Sequence, residues 1–312
     1  MAVLNNLINA VTGETMCNDK ALSKQCRQLL ASEESLFDQD YGYHAIIGES
    51  KDKTIGKPFL LHHPNHKKGV LLIHGLMAAP FEVKLWADAL FAQGYNVYAP
   101  RLSGHGTSVI DLATRNKLEW IQSVERGHKI LAECCDEVIV AGFSTGAALA
   151  LNLVIKYPNK FSAAICISTP LKLKKFTAHF ASLVHYWNQI FAILKFNKVR
   201  KEFVTNHADN PHINYLRCPV TSIVQIKRLM KGVRRDLAKI KLPILVMHAT
   251  HDPKVDVQSS KDIYKSISSS NKTYYEVDSD RHGIINGDIA QTVFRQVEDF
   301  LQTIPSLKTT RA

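Results

Sequence analysis

The sequence lacks any uninterrupted run of about 18 apolar residues, the length that a helix needs to cross a bilayer. Its first eight residues carry no basic side chain and are interrupted by two asparagines, so they do not read as a secretory signal. There is also no internal repeat and no low-complexity tract. These absences argue against a membrane-spanning, secreted or fibrous protein, and we expect a cytoplasmic globular chain.

Cysteine is scarce and is not arranged in a recognisable framework. The six cysteines lie at positions 17, 26, 134, 135, 166 and 218, and none of them forms a C-x-x-C pair. Adjacent Cys134 and Cys135 do not readily form an ordinary structural disulfide with each other. We therefore predict reduced thiols, which agrees with a cytoplasmic location.

The positive charge is concentrated in one segment. The 312-residue chain has 39 Lys and Arg against 28 Asp and Glu, a formal net charge of +11 at pH 7. Residues 170–242 alone hold 15 basic and 3 acidic side chains, a net of +12, so the rest of the chain is close to neutral. This asymmetry predicts a distinct module that is either simply well solvated or faces an anionic partner.

Short apolar runs alternate with helical patterns outside that segment. Strands are predicted at 69–75, 96–102, 137–143, 163–169, 243–249 and 272–277, and helices at 81–93, 118–133, 145–157, 257–267 and 288–302. Residues 43–47 and 58–62 are predicted to add an antiparallel pair before them. The alternation predicts an α/β fold with a mostly parallel central sheet and helices on both faces.

Two segments stand outside this alternation and suggest further domains. Residues 1–37 read as a helical extension, with Leu4, Leu7, Ile8 and Val11 on one face and Leu22, Cys26, Leu29 and Leu30 on another. We favour packing of this extension on the sheet over a membrane or partner helix. Residues 170–242 are predicted to form a basic module inserted between two strands of the sheet, with an aromatic-rich helix at 176–196 and a second helix near 220–240. The core then comprises 38–169 and 243–312.

The stretch Gly142-Phe143-Ser144-Thr145-Gly146 joins a predicted strand to a predicted helix. A serine at such a sharp turn presents its hydroxyl away from the backbone, and the glycines keep the crowded corner free of side chains. The helix that follows directs its amino-terminal amides and positive dipole end at the same place, which suits a developing oxyanion. Ser144 is therefore a candidate nucleophile.

A serine hydroxyl at neutral pH needs an adjacent base that a carboxylate orients. In folds of this class the partners follow in the order serine, acid, histidine, each just past a strand end. Asp252 follows the strand at 243–249 and is the first choice for the acid, with Asp256 as the alternative. His282 is the only histidine after residue 272 and is the candidate base.

Two backbone amides are needed to bind the oxyanion. Thr145, directly after the nucleophile, should supply one, and Leu76, in the loop that follows the strand at 69–75, should supply the other. Gly75 lets the backbone approach a substrate carbonyl closely. We expect His74, one residue before the glycine turn, to brace this loop rather than to act as a base.

Taken together, these motifs resemble those of the α/β-hydrolase superfamily. The resemblance rests on His74-Gly75-Leu76, on residues 100–107 (Pro-Arg-Leu-Ser-Gly-His-Gly-Thr), on the serine turn, and on Asp252 and His282. The resemblance covers about residues 66–303. Within the superfamily, the sequence is most similar to the bacterial carboxylesterase and monoacylglycerol lipase branch. The resemblance implies a helical cap, inserted between two late strands, at 170–242.

The resemblance further implies hydrolysis of carboxylic esters, of short to medium acyl chains or of monoacylglycerol-like lipids, through an acyl-enzyme and without metal or organic cofactor. Ser144, His282 and Asp252 would be nucleophile, base and acid, with the Leu76 and Thr145 amides as oxyanion hole. A thioesterase or an acyltransferase on the same triad is the alternative, because fold and triad do not determine the acceptor. A non-catalytic binding protein on this scaffold would not require all three triad residues.

Two further patterns carry less weight. His62, His63 and His66 have a spacing that suits a metal, but no carboxylate lies near them in sequence, and we predict a solvent-exposed loop. The cations between Lys227 and Arg235 fall at helical spacing without a nucleic-acid-binding motif, so nucleic-acid binding is not expected. Packing of the aromatic residues as cap core is favoured, and peripheral contact of the basic cap with anionic membrane is the alternative.

Overall fold

A mostly parallel sheet of seven strands forms the centre of the molecule. The computed structural model describes residues 22–174 and 202–305. The strands of the central sheet are β1 (Phe59–Leu61), β2 (Lys68–Ile73), β3 (Tyr95–Ala99), β4 (Glu137–Phe143), β5 (Ala163–Ile167), β8 (Ile244–Ala249) and β9 (Lys272–Val277). A separate antiparallel pair comprises β6 (Phe203–Thr205) and β7 (Arg217–Pro219). The predicted α/β class with a parallel sheet is confirmed.

Helices cover both faces of this sheet. They are α1 (Lys24–His44), α2 (Lys53–Gly56), α3 (Lys84–Ala92), α4 (Val109–Thr114), α5 (Lys117–Ala132), α6 (Thr145–Lys156), α7 (Val220–Asp236), α8 (Gln258–Ser266) and α9 (Ala290–Gln302). Short 3₁₀ helices lie at Pro80–Val83 and Leu237–Lys239. The five helices predicted outside the extension and cap are all present, with boundaries that differ by a few residues.

The strand order across the sheet is β1-β3-β2-β4-β5-β8-β9. Only β1 runs antiparallel to its neighbour, with Phe59 opposite Ala99. Both faces are buried: Val70 and Leu72 of β2 pack on one side, and Leu71 and Ile73 pack on the other. This two-sided burial explains why the strands read as continuous apolar runs rather than as alternating patterns.

Three of the six predicted strands extend too far at their carboxyl ends, whereas those ending at 143, 249 and 277 end as predicted. β2 ends at Ile73 rather than at residue 75, β3 at Ala99 rather than at 102, and β5 at Ile167 rather than at 169. Beyond these points the backbone leaves the ladder and makes other hydrogen bonds, such as that from the Leu102 amide to His74 Nε2 at 3.3 Å. The residues that leave the sheet at this edge are those that build the site.

The amino-terminal helix α1 packs on the core through the face that contains Leu22 and Cys26. Both side chains are buried, while Leu29 and Leu30 are partly buried against the same cluster. This packing on the core is as predicted for that face; the other predicted face, Leu4 to Val11, lies outside the described residues. No helix in the described part of the chain combines the length and the apolar character that crossing a bilayer requires.

The predicted antiparallel pair of 43–47 with 58–62 is wrong. Helix α1 continues past residue 37 to His44, so Tyr43 and His44 form its last turn instead of a strand. Phe37 is buried and Tyr41 donates a hydrogen bond to the Lys51 carbonyl at 2.7 Å, and both contacts need the helical spacing. Residues 59–61 do form a strand, but it pairs with β3.

The described part of the 170–242 segment divides between two environments. Residues 202–219, which include β6 and β7, lie over the carboxyl edge of the sheet and line the cavity described below. Helix α7 instead packs against α6, with Leu229, Met230 and Val233 buried in the main core. The predicted aromatic helix at 176–196 lies outside the described residues, and the division of the chain into core and cap stays a prediction.

Candidate active site

Ser144 occupies a strained turn between β4 and α6. Its φ angle is +53° with ψ at −117°, a conformation that costs a non-glycine residue about 1–3 kcal/mol. Glycine is required on either side by close backbone approach: a Cβ on Gly142 would lie 2.3 Å from the Gly146 carbonyl carbon, and one on Gly146 would lie 2.1 Å from the Ile73 carbonyl oxygen. The surrounding packing therefore holds the serine hydroxyl in one place.

The structure brings the three residues of the predicted triad into contact. His282 Nε2 lies 2.9 Å from Ser144 Oγ, and His282 Nδ1 lies 2.6 Å from Asp252 Oδ2. Asp252 follows β8 and His282 follows β9, so all three project from the carboxyl ends of parallel strands. The alternative acid, Asp256, is elsewhere: its Oδ1 accepts a hydrogen bond from the Gln258 amide at 3.0 Å, at the start of α8.

Asp252 is fully buried and receives hydrogen bonds on both carboxylate oxygens. Oδ1 accepts from the amides of Lys254 at 2.7 Å and Val255 at 3.0 Å. Burial alone would raise the pKa of Asp252, but hydrogen bonds from His248 and His282 and the charge on His282 outweigh it and hold that pKa well below its usual range. The carboxylate thus stays ionised and holds His282 in the orientation that faces Ser144.

His248 is a second histidine on the same carboxylate that the sequence analysis did not identify. Its Nε2 lies 3.2 Å from Asp252 Oδ2, and its Nδ1 lies 2.6 Å from Ser260 Oγ. The side chain is fully buried on β8, four residues before Asp252. A histidine within an apolar strand was the available signal, but its partner follows only from the packing of α8.

The two predicted oxyanion donors lie at the same cavity as Ser144. Thr145 is the first residue of α6, so its amide has no acceptor one turn earlier in the helix. Leu76 lies in the loop after β2, and the next residue, Met77, has a φ of +65°. The Tyr215 amide, from the segment between β6 and β7, holds this loop by donating to the Met77 carbonyl at 2.9 Å.

His74 braces that loop, as predicted. The Leu102 amide donates to its Nε2 at 3.3 Å, which leaves Nδ1 to donate to the Gly75 carbonyl at 2.9 Å. Complete burial lowers the pKa of His74 to about 4, so the ring is neutral at physiological pH. His74 thus joins the loop after β2 to the loop after β3, and neither of these hydrogen bonds involves a triad residue.

Glu82, in the 3₁₀ turn after the oxyanion loop, is a polar residue at the site that the sequence analysis missed. Its Oε2 accepts a hydrogen bond from the Gly75 amide at 2.7 Å. Burial raises the pKa of Glu82 to about 7, against the lowering effects of the Gly75 amide, of Asn214 and of Lys254. A single glutamate in a turn has no sequence signal for burial.

The cavity above Ser144 is lined by both apolar and polar side chains. The apolar ones include Leu76, Leu173, Val204, Ile223 and Val255, and the polar ones include Glu82, Asn206, Asp209, Asn214 and Lys254. Asp209 Oδ2 accepts from the Gly283 amide at 3.0 Å, directly after His282. Such a cavity suits a molecule with an apolar and a polar part.

The loop at 62–67 is largely exposed, as predicted: His63 is exposed and His66 is half-buried. The prediction is wrong for His62, which is buried at 8% exposure. Residues 101–107 instead support the site: Tyr215 Oη accepts from the Thr107 amide at 2.9 Å and donates to the Gly104 carbonyl at 3.1 Å. Within residues 22–174 and 202–305, no group of three or more His, Cys, Asp or Glu is placed to hold a metal ion.

A serine turn, a histidine and a buried aspartate at the carboxyl edge of this sheet define an α/β-hydrolase. Residues 64–288 match the model of the serine aminopeptidase S33 family, and the chain belongs to that family. A thermostable monoacylglycerol lipase of Bacillus sp. (strain H-257) is 28% identical over 240 residues, which cover 76% of this chain and 91% of the lipase. A carboxylesterase of Bacillus subtilis (strain 168) is 23% identical over 238 residues, 76% of this chain and 93% of the esterase.

Solved structures agree with this fold. A metagenome-derived lipolytic enzyme superposes with a TM-score of 0.69 at 20% identity, over 83% of this chain and 99% of its own. The monoacylglycerol lipase of Paleococcus ferrophilus superposes with a TM-score of 0.66 at 17% identity, over 80% of this chain and 98% of its own. At these identities the superpositions show the α/β-hydrolase fold.

Proposed function

We propose that this protein is a serine hydrolase that cleaves carboxylic esters through an acyl-enzyme. The single observation that carries the proposal is the hydrogen-bonded chain from Ser144 Oγ to His282 Nε2 at 2.9 Å and from His282 Nδ1 to Asp252 Oδ2 at 2.6 Å. The similarity to a monoacylglycerol lipase and a carboxylesterase supports esters as the substrates.

In the proposed mechanism, Ser144 Oγ attacks the ester carbonyl carbon while His282 Nε2 accepts its proton. Asp252 stabilises the imidazolium that forms, and the amides of Leu76 and Thr145 bind the oxyanion of the tetrahedral intermediate. The intermediate then collapses: the bond from carbon to the alcohol oxygen breaks, and His282 gives its proton to the leaving alcohol. A water molecule, deprotonated by His282, attacks the acyl-enzyme in the same way and releases the acid.

The mixed lining of the cavity supports esters of short- to medium-chain acids, including monoacylglycerol-like lipids. Its apolar side chains would contact the acyl chain, and polar ones such as Asn214 and Lys254 would bind a hydroxylated alcohol. Peripheral contact of the basic cap with anionic lipid surfaces would bring such substrates to the enzyme. Helix α7 supports this contact because Arg228 and Lys231 are exposed on it while Ile226 is buried.

The decisive experiment is pre-steady-state hydrolysis of p-nitrophenyl butyrate. We expect a burst of p-nitrophenol equal to the enzyme concentration, followed by slower turnover, because acylation releases the alcohol before the acid. Ser144→Ala should abolish the burst and lower kcat on the order of a million-fold. Ser266→Ala, which changes an exposed serine at the end of α8, is the matched control and should keep the burst.

The same assay separates the proposed reaction from its rivals. Butyryl esters of glycerol and of ethanol, and the matching butyryl thioester, should be compared under identical conditions. Esters should show the higher kcat/KM, with release of free acid. Faster cleavage of the thioester, or transfer of the butyryl group to an added alcohol in place of water, would contradict ester hydrolysis as the function.

A further inference from the structure

Glu82 contacts the oxyanion loop but has no part in the triad. Its carboxyl group lies in the catalytic cavity, its side chain is buried, and its Oε2 accepts the Gly75 amide hydrogen at 2.7 Å. A Cβ placed on Gly75 would lie 3.1 Å from this oxygen and 3.6 Å from Ser144 Cβ. The carboxyl group and the nucleophile therefore flank the same glycine.

The hydrogen bond from the Gly75 amide to Glu82 fixes the His74–Gly75 peptide unit, and the next peptide unit carries the Leu76 amide. Without an acceptor, the buried Gly75 amide would be unsatisfied, and the loop would gain the freedom to turn the Leu76 amide away from Ser144. Asn214 binds Glu82 from the cap, and the neighbouring Tyr215 amide binds Met77. Glu82 thus joins the oxyanion loop to the cap segment over it.

No cation within the described residues is paired with Glu82. Lys254, whose charge lowers the pKa of Glu82, lies 3.7 Å from Asp209 Oδ1 instead, and Asp209 binds the Gly283 amide through its other oxygen. A carboxylate at position 82 would stand unneutralised beside the place where the tetrahedral intermediate develops its own negative charge. Two negative charges that lie close together in a buried site repel each other strongly.

We propose that Glu82 is a positioning residue of the oxyanion hole that works in its neutral form: it accepts from Gly75 while adding no negative charge beside the oxyanion. The proposal rests on the function proposed above. Its mechanism involves no bond to substrate; the carboxyl group acts only through the His74–Gly75 peptide, which precedes the Leu76 amide. Burial raises the pKa of Glu82 to about 7, with Asp209 raising it further and Lys254 lowering it, so the neutral form predominates below neutrality.

The sign of the pH effect follows. As pH rises through about 7, Glu82 loses its proton and acylation slows. Glu82→Gln keeps an acceptor oxygen and cannot ionise, so the ratio of kcat at pH 8.5 to kcat at pH 6.5 should rise about tenfold over that of the unchanged protein. Glu82→Ala removes the acceptor and should lower kcat about 100-fold with little change in KM.

Unfolding provides a readout that does not depend on catalysis. The folded carboxyl group binds its proton more tightly than the unfolded one, so the stability contributed by Glu82 falls between about pH 4.5 and pH 7. Glu82→Gln should lack this loss, and the Tm difference between the variant and the unchanged protein should shift in favour of the variant from pH 5 to pH 8.

The test is therefore a set of pH profiles of p-nitrophenyl butyrate hydrolysis and of Tm for the unchanged protein, Glu82→Gln, Glu82→Ala and Glu298→Gln. Glu298, on α9 and outside the cavity, is the matched control and should leave both profiles unchanged. The proposal is supported if Glu82→Gln has a kcat at least tenfold above that of Glu82→Ala and lacks the decrease of kcat above about pH 7. It is overturned if Glu82→Gln keeps that decrease, or if the two variants have the same kcat. Absence of ester turnover in the unchanged protein would instead refute the proposed function.

Discussion

At the scale of single residues, two aspartates four positions apart test how the acid of the triad is chosen. Asp252 Oδ2 lies 2.6 Å from His282 Nδ1, whereas Asp256 Oδ1 accepts from the Gln258 amide at the start of α8. Both residues follow β8 in the chain. In each, substitution by asparagine replaces one carboxylate oxygen with an amide nitrogen and changes little else. They form a natural pair of variant and control.

Asp252→Asn should lower kcat by about 10⁴-fold, because the amide cannot stabilise the imidazolium and favours the wrong tautomer of His282. KM should change little, since the aspartate lies behind the histidine. Asp256→Asn should keep kcat within about twofold, because the asparagine side-chain oxygen can still accept from the Gln258 amide and does not contact His282. Steady-state hydrolysis of a p-nitrophenyl ester measures both. Equal losses in the two variants would contradict the assignment of Asp252.

Ser144, Asp252 and His282 could be predicted because each follows a recognisable apolar strand and because their order along the chain is characteristic. Glu82 and His248 could not. Each is a single polar residue whose role depends on burial by distant segments, Asn214 for Glu82 and Ser260 for His248. Local sequence carries no record of such contacts.

At the scale of elements, one hydroxyl group makes two of the hydrogen bonds that join the segment between β6 and β7 to the core. Tyr215 Oη accepts from the Thr107 amide and donates to the Gly104 carbonyl, and the ring is 3% exposed. The same segment carries Asn206, Asp209 and Asn214 into the cavity. The loop at 101–107 therefore positions the segment between β6 and β7 at the cavity, although none of these hydrogen bonds involves Ser144.

Tyr215→Phe should lower the free energy of unfolding by about 1–3 kcal/mol, because two buried backbone groups lose their partner. It should also raise KM more than it lowers kcat, since the substitution loosens the segment between β6 and β7 and leaves the triad in place. Urea denaturation and steady-state kinetics measure the two effects. Tyr43→Phe, at an 85% exposed tyrosine, is the control and should do neither. A loss of kcat at constant KM would argue against the anchoring role.

The elements themselves could be predicted well where apolar period and helix caps agree. Helix α5, for example, begins at a capping box of Asn116 and Glu119. The prediction failed at 43–47, where a short run of aromatic and aliphatic residues resembles a strand but forms the last turn of α1 and the bend after it. Tertiary contacts of Phe37 and Tyr41 decide that case.

At the scale of the whole molecule, the concentration of positive charge in residues 170–242 bears on where the enzyme works. Helix α7 presents Arg228 and Lys231 to solvent, and Ile223 on the same helix lines the cavity. A surface of anionic lipid against this helix would lie close to the catalytic cavity. Each basic residue near such a surface contributes about 1 kcal/mol of attraction.

Co-sedimentation with vesicles measures this attraction. Binding to phosphatidylglycerol-containing vesicles should exceed binding to pure phosphatidylcholine and should weaken at high salt, where charges are screened. The double variant Arg228→Glu, Lys231→Glu should lower the partition coefficient by tenfold or more. Lys265→Glu, at an exposed residue of α8, controls for net charge in general. Equal weak binding to both kinds of vesicle would contradict the membrane contact.

The central role of Ser144 is tested most directly by covalent labelling with a fluorophosphonate ester, followed by peptide mapping by mass spectrometry. A single phosphonyl group should be found on the peptide that contains Ser144, should be absent from Ser144→Ala, and should form much more slowly in His282→Ala. The absence of any adduct, or an adduct on another serine such as Ser168, would contradict Ser144 as the nucleophile.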